Sequence, residues 1–165
     1  MNAPNHPSVT GTATKRLDPD RNRAAVENYV LEQQVGHLLR RAHQRHVAIF
    51  QECIGAAALT PMQWAALFCL VRHGPTTQNK LGRLTAMDPA TIQGVVQRLA
   101  ARGLIIRSAD PRDRRTRLLA ATSAGEALVT TMLPVAREIS DATLAPLDAT
   151  ERAIFLKLLT RMAFA

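Results

Sequence analysis

Aromatic residues are scarce in this 165-residue chain, at 4%, with one tryptophan and one tyrosine. A sequence so poor in aromatic side chains is a weak candidate for an extended β-sandwich or barrel. Its abundance of Ala, Leu and Arg favours helices. The two cysteines, Cys53 and Cys69, sit among apolar neighbours and make no disulfide framework. Both are expected to be buried and inert. No run approaches the roughly 18 apolar residues that would span a bilayer, and residues 1–14 lack the apolar stretch of a secretory signal. A cytoplasmic location and no membrane partner are therefore expected. Catalytic signatures are missing too: no phosphate-binding glycine loop, no clustered carboxylates, no nucleophile motif. No enzyme activity and no cofactor are expected. His43 and His46 are three apart, but His37 lies two turns away, so no metal site is expected.

Acidic residues are also in short supply, leaving a net charge of +8. The surplus is uneven. Residues 98–117 hold seven arginines against Asp110 and Asp113, more than half of the excess. A field concentrated in this way suits a polyanion such as nucleic acid, although a solvated basic loop has the same composition.

Residues 1–24 are polar, carry Pro4, Pro7 and Pro19, and are expected to form a flexible arm before a single domain over 25–165. From Val26 to Ile54 apolar residues recur at helical spacing, predicting a helix of about seven turns. Thr60-Pro61 and Asp88-Pro89 each read as a cap followed by proline at the first helical position. They open helices that stop at Gly74-Pro75 and near Arg102-Gly103. Between them a short helix runs over about 77–84, with Leu81 and Leu84 expected inward. The period then changes from 3.6 to 2, giving two short strands, 104–108 and 116–120, joined by the basic turn 109–115. Thr122 or Ser123 starts the next helix, with Ser123 and Glu126 at capping-box spacing. Asp148 opens the last. The fold expected is mainly α: a winged helix-turn-helix at about 59–122 with a two-stranded β wing, flanked by terminal dimerisation helices at about 26–54 and 123–164.

This order of elements suits the major groove of DNA, which admits the second helix of a helix-turn-helix. Thr91, Gln93, Gln97 and Arg98 are the groups of that helix placed to meet base edges or phosphates. Arg112, Arg114 and Arg115 stand at the hairpin tip, where arginine can enter a narrow minor groove.

From Leu59-Thr60 to Gly125 the sequence resembles the MarR family of bacterial regulators. The resemblance rests on Leu59-Thr60-Pro61-Met62-Gln63-Trp64, on Asp88-Pro89-Ala90-Thr91-Ile92, and on Arg98-Leu99 with Arg102-Gly103-Leu104-Ile105 and Arg107. The wing Asp110-Pro111-Arg112-Asp113-Arg114-Arg115 and the exit Ala121-Thr122-Ser123-Ala124-Gly125 complete it. It implies that Arg115 is a minor-groove arginine with Asp113 as its orienting partner, and that residues 88–102 form the recognition helix. It further implies a homodimer on a palindromic operator in double-stranded DNA, acting as a repressor. A small aromatic carboxylate is the implied effector, and the resemblance points to the branch that governs nicotinate- or hydroxybenzoate-type catabolism. Candidate effector residues are His37, Arg40, His43 and His46 on the first helix, with Gln63, Trp64 and Phe68 on the second. Each also fits an ordinary core or interface position. Gly82 and Gly94 depart from the expected helix-favouring residues. They either allow close packing or approach to DNA, or are neutral. The competing readings are a thiol-based redox sensor of the same fold and a non-specific architectural DNA binder.

Overall fold

The computed structural model describes Arg23 and residues 26–113 and 115–164. Apart from Arg23, the arm expected over 1–24 lies outside the described residues, as does Arg114. Among the described residues, six α-helices and a small sheet follow in order: α1 (Val35–Cys53), α2 (Pro61–His73), β1 (Thr76–Thr77), α3 (Gln78–Leu84), α4 (Pro89–Ala101), β2 (Ile105–Ala109), β3 (Arg117–Ala121), α5 (Ser123–Leu144) and α6 (Ala149–Ala163). The fold is mainly α, with the winged helix-turn-helix at its centre.

The first helix is shorter than its apolar periodicity predicts. Val30 and Gln34 are extended on either side of a 3-10 turn at Leu31–Gln33, and α1 begins only at Val35. Gln34 Nε2 donates to the Val30 carbonyl at 3.0 Å, a local bond that competes with helical continuation. Val26, Val30, Val35, Leu38 and Leu39 are all exposed in the single chain.

From Arg41 onward, the helix starts follow the caps. Thr60 and Gln63 form a reciprocal capping box: the Gln63 N–H donates to Thr60 Oγ1 at 3.2 Å and the Thr60 N–H to Gln63 Oε1 at 2.9 Å. Asp148 and Glu151 form another. Such caps contribute about 1 kcal/mol each. Thr122, rather than Ser123, caps α5, accepting from the Gly125 N–H at 3.1 Å. This register places Gly125 where a Ser123 box would have placed Glu126.

One buried apolar cluster joins these elements: Leu67 and Leu70 of α2, Leu81 of α3, Ile92, Val95, Val96 and Leu99 of α4, Leu119 of β3, and Val129, Met132 and Ile139 of α5. Leu84, expected inward, is 44% exposed. Gly82 takes the inward position beside Leu81: a Cβ there would lie 3.2 Å from the Met87 carbonyl and 3.5 Å from Ile92 Cγ2. Close packing of α3 on α4 therefore accounts for this glycine.

The sheet has a third strand that the sequence pattern did not reveal. Its order is β1-β3-β2, all antiparallel, with Thr76 opposite Leu119 and Ile105 opposite Ala121. The two-residue β1 ties the start of α3 to the root of the wing. At the exit from the wing, Thr122 donates to Leu104 O (3.0 Å, through N–H) and to Gly103 O (2.7 Å, through Oγ1). Gly125 is seated so closely on the residue preceding β2 that a Cβ would overlap the Leu104 carbonyl oxygen.

Candidate nucleic-acid interface and effector cleft

The turn between α3 and α4 is built without glycine. The Thr85 N–H bonds to Leu81 O at 3.0 Å, Ala86 adopts φ 52°, and the Met87 N–H returns to Gly82 O at 2.9 Å. A left-handed residue closing the last turn is the usual way to end a helix sharply. One residue on, the Asp88 carboxylate caps α4, accepting from the N–H groups of Ala90 at 3.0 Å and Thr91 at 2.9 Å and from the Thr91 hydroxyl. The Thr91 hydroxyl foremost, then its amide, holds the Asp88 carboxyl below the usual carboxylate range.

This geometry refines the expected contact residues. The proton of the Thr91 hydroxyl is committed to Asp88, so toward a ligand this residue offers only an acceptor. Gln93, Gln97 and Arg98 are exposed on the outer face of α4, opposite the buried stripe of Ile92, Val95, Val96 and Leu99. Gly94 is not required by packing, since a Cβ there would make only ordinary contact with a movable side chain. The Arg98 guanidinium lies back over it, 3.4 Å from where a Cβ would stand. Arg102, whose role sequence reasoning missed, is structural. It donates through Nη1 to Ala58 O at 3.0 Å and through Nη2 to Ala57 O at 2.7 Å, pinning the end of α4 to the α1–α2 connection.

In the wing, Arg112, Asp113 and Arg115 are exposed. Asp113 orders the tip through one main-chain and one side-chain donor: Oδ1 accepts from the Arg115 N–H at 3.0 Å and Oδ2 from the Thr116 hydroxyl at 2.9 Å. Asp110 likewise accepts from the Arg112 N–H at 2.8 Å. Among the described residues the ion pairs are Arg23–Glu27 and Arg152–Asp141, so neither Arg112 nor Arg115 is paired with a described carboxylate.

A second feature is a cleft of about 440 Å³ between α2 and α5, lined by Trp64, Phe68, Leu133, Ala136, Arg137, Ser140 and Asp141. Trp64 and Phe68 stand 5.7 Å apart between ring centroids, tilted by 33°. Of the expected effector residues, these two line the cleft. Gln63 is buried, with its Oε1 committed to the Thr60 N–H in the capping box. His43 is exposed, and on the earlier part of α1 His37 is half-buried and Arg40 exposed. His46 Nδ1 lies 3.0 Å from Thr143 Oγ1. That hydroxyl donates its only proton to Ile139 O at 2.7 Å, so the imidazole Nδ1–H must be the donor to Thr143. Burial, and secondarily the charge of His43, lowers the His46 pKa. A neutral His46 offers no charge to a carboxylate. Arg137, Ser140 and Asp141 escaped the sequence reading because only the packing of α5 on α2 brings them to the aromatic pair.

Cys53 corrects an expectation: it is exposed, at the end of α1, where the preceding Gln51 and Glu52 also face solvent. Cys69 is half-buried, and burial raises its thiol pKa, keeping it protonated and a poor nucleophile. Among the described residues no group of three or more His, Cys, Asp or Glu could hold a metal ion, and no helix is long and apolar enough to cross a membrane.

A short helix, a tight turn, a capped helix with a polar outer face and an arginine-bearing hairpin define a winged helix-turn-helix transcriptional regulator. The chain belongs to the MarR family. The model of that family matches residues 59–116. The HTH-type transcriptional repressor NicR of Pseudomonas putida is 47% identical over 134 residues, covering 81% of this chain and 85% of NicR. A probable transcriptional regulator from Pseudomonas aeruginosa superimposes with a TM-score of 0.78 at 52% identity, over 81% of this chain and 99% of that one. BpsR of Bordetella bronchiseptica, described in terms of regulation of its DNA binding by 6-hydroxynicotinic acid, gives 0.77 at 45% identity, over 83% and 98%. The chain is thus a regulator of transcription rather than an enzyme.

Proposed function

We propose that this protein is a dimeric repressor that binds a palindromic operator in double-stranded DNA and is released by a small aromatic acid. The observation that carries the DNA reading is the pairing of two surfaces around one core. The outer face of α4 presents Gln93, Gln97 and Arg98, while the adjoining wing presents Arg112 and Arg115 with no carboxylate partner among the described residues. The helix suits base edges in the major groove and the arginines a neighbouring minor groove.

The dimer reading is supported by apolar surface that the single chain leaves open. Leu38 and Leu39 on α1, and Ile154, Phe155, Leu158 and Met162 on α6, are each at least 40% exposed. Apolar faces of this extent are usually covered by a second subunit. A two-fold pair of heads reading successive turns stands about 34 Å apart.

The effector reading rests on the cleft. Trp64 and Phe68 provide an aromatic wall for a planar ring, and Arg137 provides a charge for its carboxylate. Apolar contact contributes about 25 cal/mol per Å² buried. BpsR, whose DNA binding answers to 6-hydroxynicotinic acid, supports a ligand of this class here. The ligand acts only as far as it prefers the DNA-incompetent arrangement; a preference of about 3 kcal/mol would loosen the complex around a hundredfold. The test is to titrate hydroxynicotinates, nicotinate, salicylate and hydroxybenzoates against the protein bound to a duplex it has selected from a random pool. Release at or below millimolar concentration is expected. Failure of every acid to release the duplex would refute the effector reading.

A further inference from the structure

Two arginines one turn apart close α4, and the structure uses them differently. Arg98 lies along the outer face and makes no ion pair among the described residues. Arg102 directs its guanidinium at the chain that joins α1 to α2, donating to Ala58 O at 3.0 Å and Ala57 O at 2.7 Å. A planar fork on two successive carbonyls fixes direction as well as distance. The connection it holds is one 3-10 turn, Gly55–Ala57, with Gly55 at φ 51° and Ala58 at φ 44°. A left-handed alanine is opposed by its own Cβ, so other paths for this connection compete with the observed one. Apolar contact selects among them poorly, because it has no direction; Phe50 is the buried residue of α1, and Ile54 is buried just beyond it. Two turns earlier, the Arg45 guanidinium donates to Ala142 O and His46 Nδ1 to Thr143 Oγ1, each at 3.0 Å. The end of α1 is thus bonded to the last turn of α5 and, through the connection and Arg102, to the recognition helix.

We infer that Arg102 is a positioning residue: it sets how the end of α1 is directed relative to the recognition helix, and so which half-site spacing the dimer accepts. This rests on the dimeric operator reading above and adds the residue that tunes it. Ile92, Val95, Val96 and Leu99 seat α4 in the core of the reading head, so the clamp acts on the connection rather than on α4. In a two-fold dimer a change of direction here acts twice, once in each subunit. One inserted base pair shifts a half-site by about 3.4 Å and turns it by about 35°. Heads held in one direction therefore accept one spacing. With the clamp released, the connection takes other paths and the heads follow more than one spacing. The two bonds are exposed and add little to stability. What they contribute is direction.

The experiment uses the full-length protein, a duplex that the wild type has enriched from a random pool, and two derivatives with one base pair inserted or removed at its centre. The wild type should bind each derivative at least tenfold more weakly than the enriched duplex. Arg102→Ala should bind all three within about threefold of one another, while melting close to the wild type. Arg102→Lys, which can hold one carbonyl but not the pair, should fall between. Salt dependence separates positioning from contact with DNA. On the enriched duplex Arg102→Ala should keep the wild-type slope of log affinity against log salt, whereas loss of a phosphate contact would reduce it by about 0.9. Arg102→Gln also breaks the fork and is read on the same duplexes should Arg102→Ala not fold. Spacing discrimination that survives loss of the fork, or a slope reduced by one contact, would overturn the assignment while sparing the dimer. A wild type indifferent to spacing would overturn the palindromic reading as well.

Discussion

Asp113 holds Arg115 by its backbone, not by its charge: the carboxylate accepts the Arg115 amide at 3.0 Å, while the guanidinium has no acidic partner among the described residues. Two variants separate these roles. Asp113→Asn keeps an oxygen for the Arg115 amide and should retain most of the DNA affinity. Asp113→Ala leaves both the amide and the Thr116 hydroxyl without this acceptor and should lose about tenfold. Arg115→Ala should lose at least tenfold. All three should melt within about 1 kcal/mol of the wild type, because the tip is exposed. Equal losses for Asn and Ala at position 113 would instead favour a direct charge role.

Gly125 is fixed by backbone proximity. Gly125→Ala should destabilise the fold by about 1–3 kcal/mol or more, as overpacking does, since the obstacle is the Leu104 carbonyl rather than a movable side chain. Thermal or urea melts measure this. A variant as stable as the wild type would mean that α5 can shift away from β2 at no cost.

These two positions also show what the sequence could and could not reveal. Thr60-Pro61, Asp88-Pro89 and Asp148 were legible as helix starts because capping is local, and each does cap a helix. The wing was legible because the period changes from 3.6 to 2. Contacts between distant segments were not. β1 has two residues and no pattern of its own; it exists because β3 lies beside it. The exposure of Leu84 and the convergence of Arg137 and Asp141 on Trp64 depend on packing between elements; the late start of α1 at Val35 goes with the local Gln34–Val30 bond. Within α4, the spacing gave the exposed face but not the Thr91–Asp88 bond that removes a donor from it.

His46 gives the fold a pH dependence. Its folded pKa lies below the ordinary value of about 6.5 because burial disfavours the charged ring. As pH falls below that value the unfolded chain takes up the proton first, so stability present above it is lost on acidification. Denaturant midpoints should therefore fall between pH 7 and pH 5, and His46→Gln should flatten that slope. An unchanged slope in the variant would assign the dependence elsewhere.

The exposed face of α6 tests assembly without removing the helix. Leu158 is 48% exposed in the single chain, so Leu158→Asp costs the protomer little. If this face is a subunit interface, the variant should sediment as a monomer at concentrations where the wild type is a dimer. DNA affinity should fall at the same time, because two linked heads bind more tightly than one. A dimer unaffected by Leu158→Asp would move the interface away from this face.

Sequence-specific DNA recognition by α4 and the wing is the centre of the account, and one measurement meets it directly. The wild type is titrated, at one fixed salt concentration, against a duplex enriched from a random pool and against a scrambled duplex of the same composition. The account predicts a preference of at least about a thousandfold for the enriched duplex, the low end for specific binders. Gln97→Ala should erode that ratio, while Arg115→Ala weakens the enriched complex. Equal affinity for the two duplexes, falling steeply with salt, would contradict it and leave only a basic surface that binds any DNA.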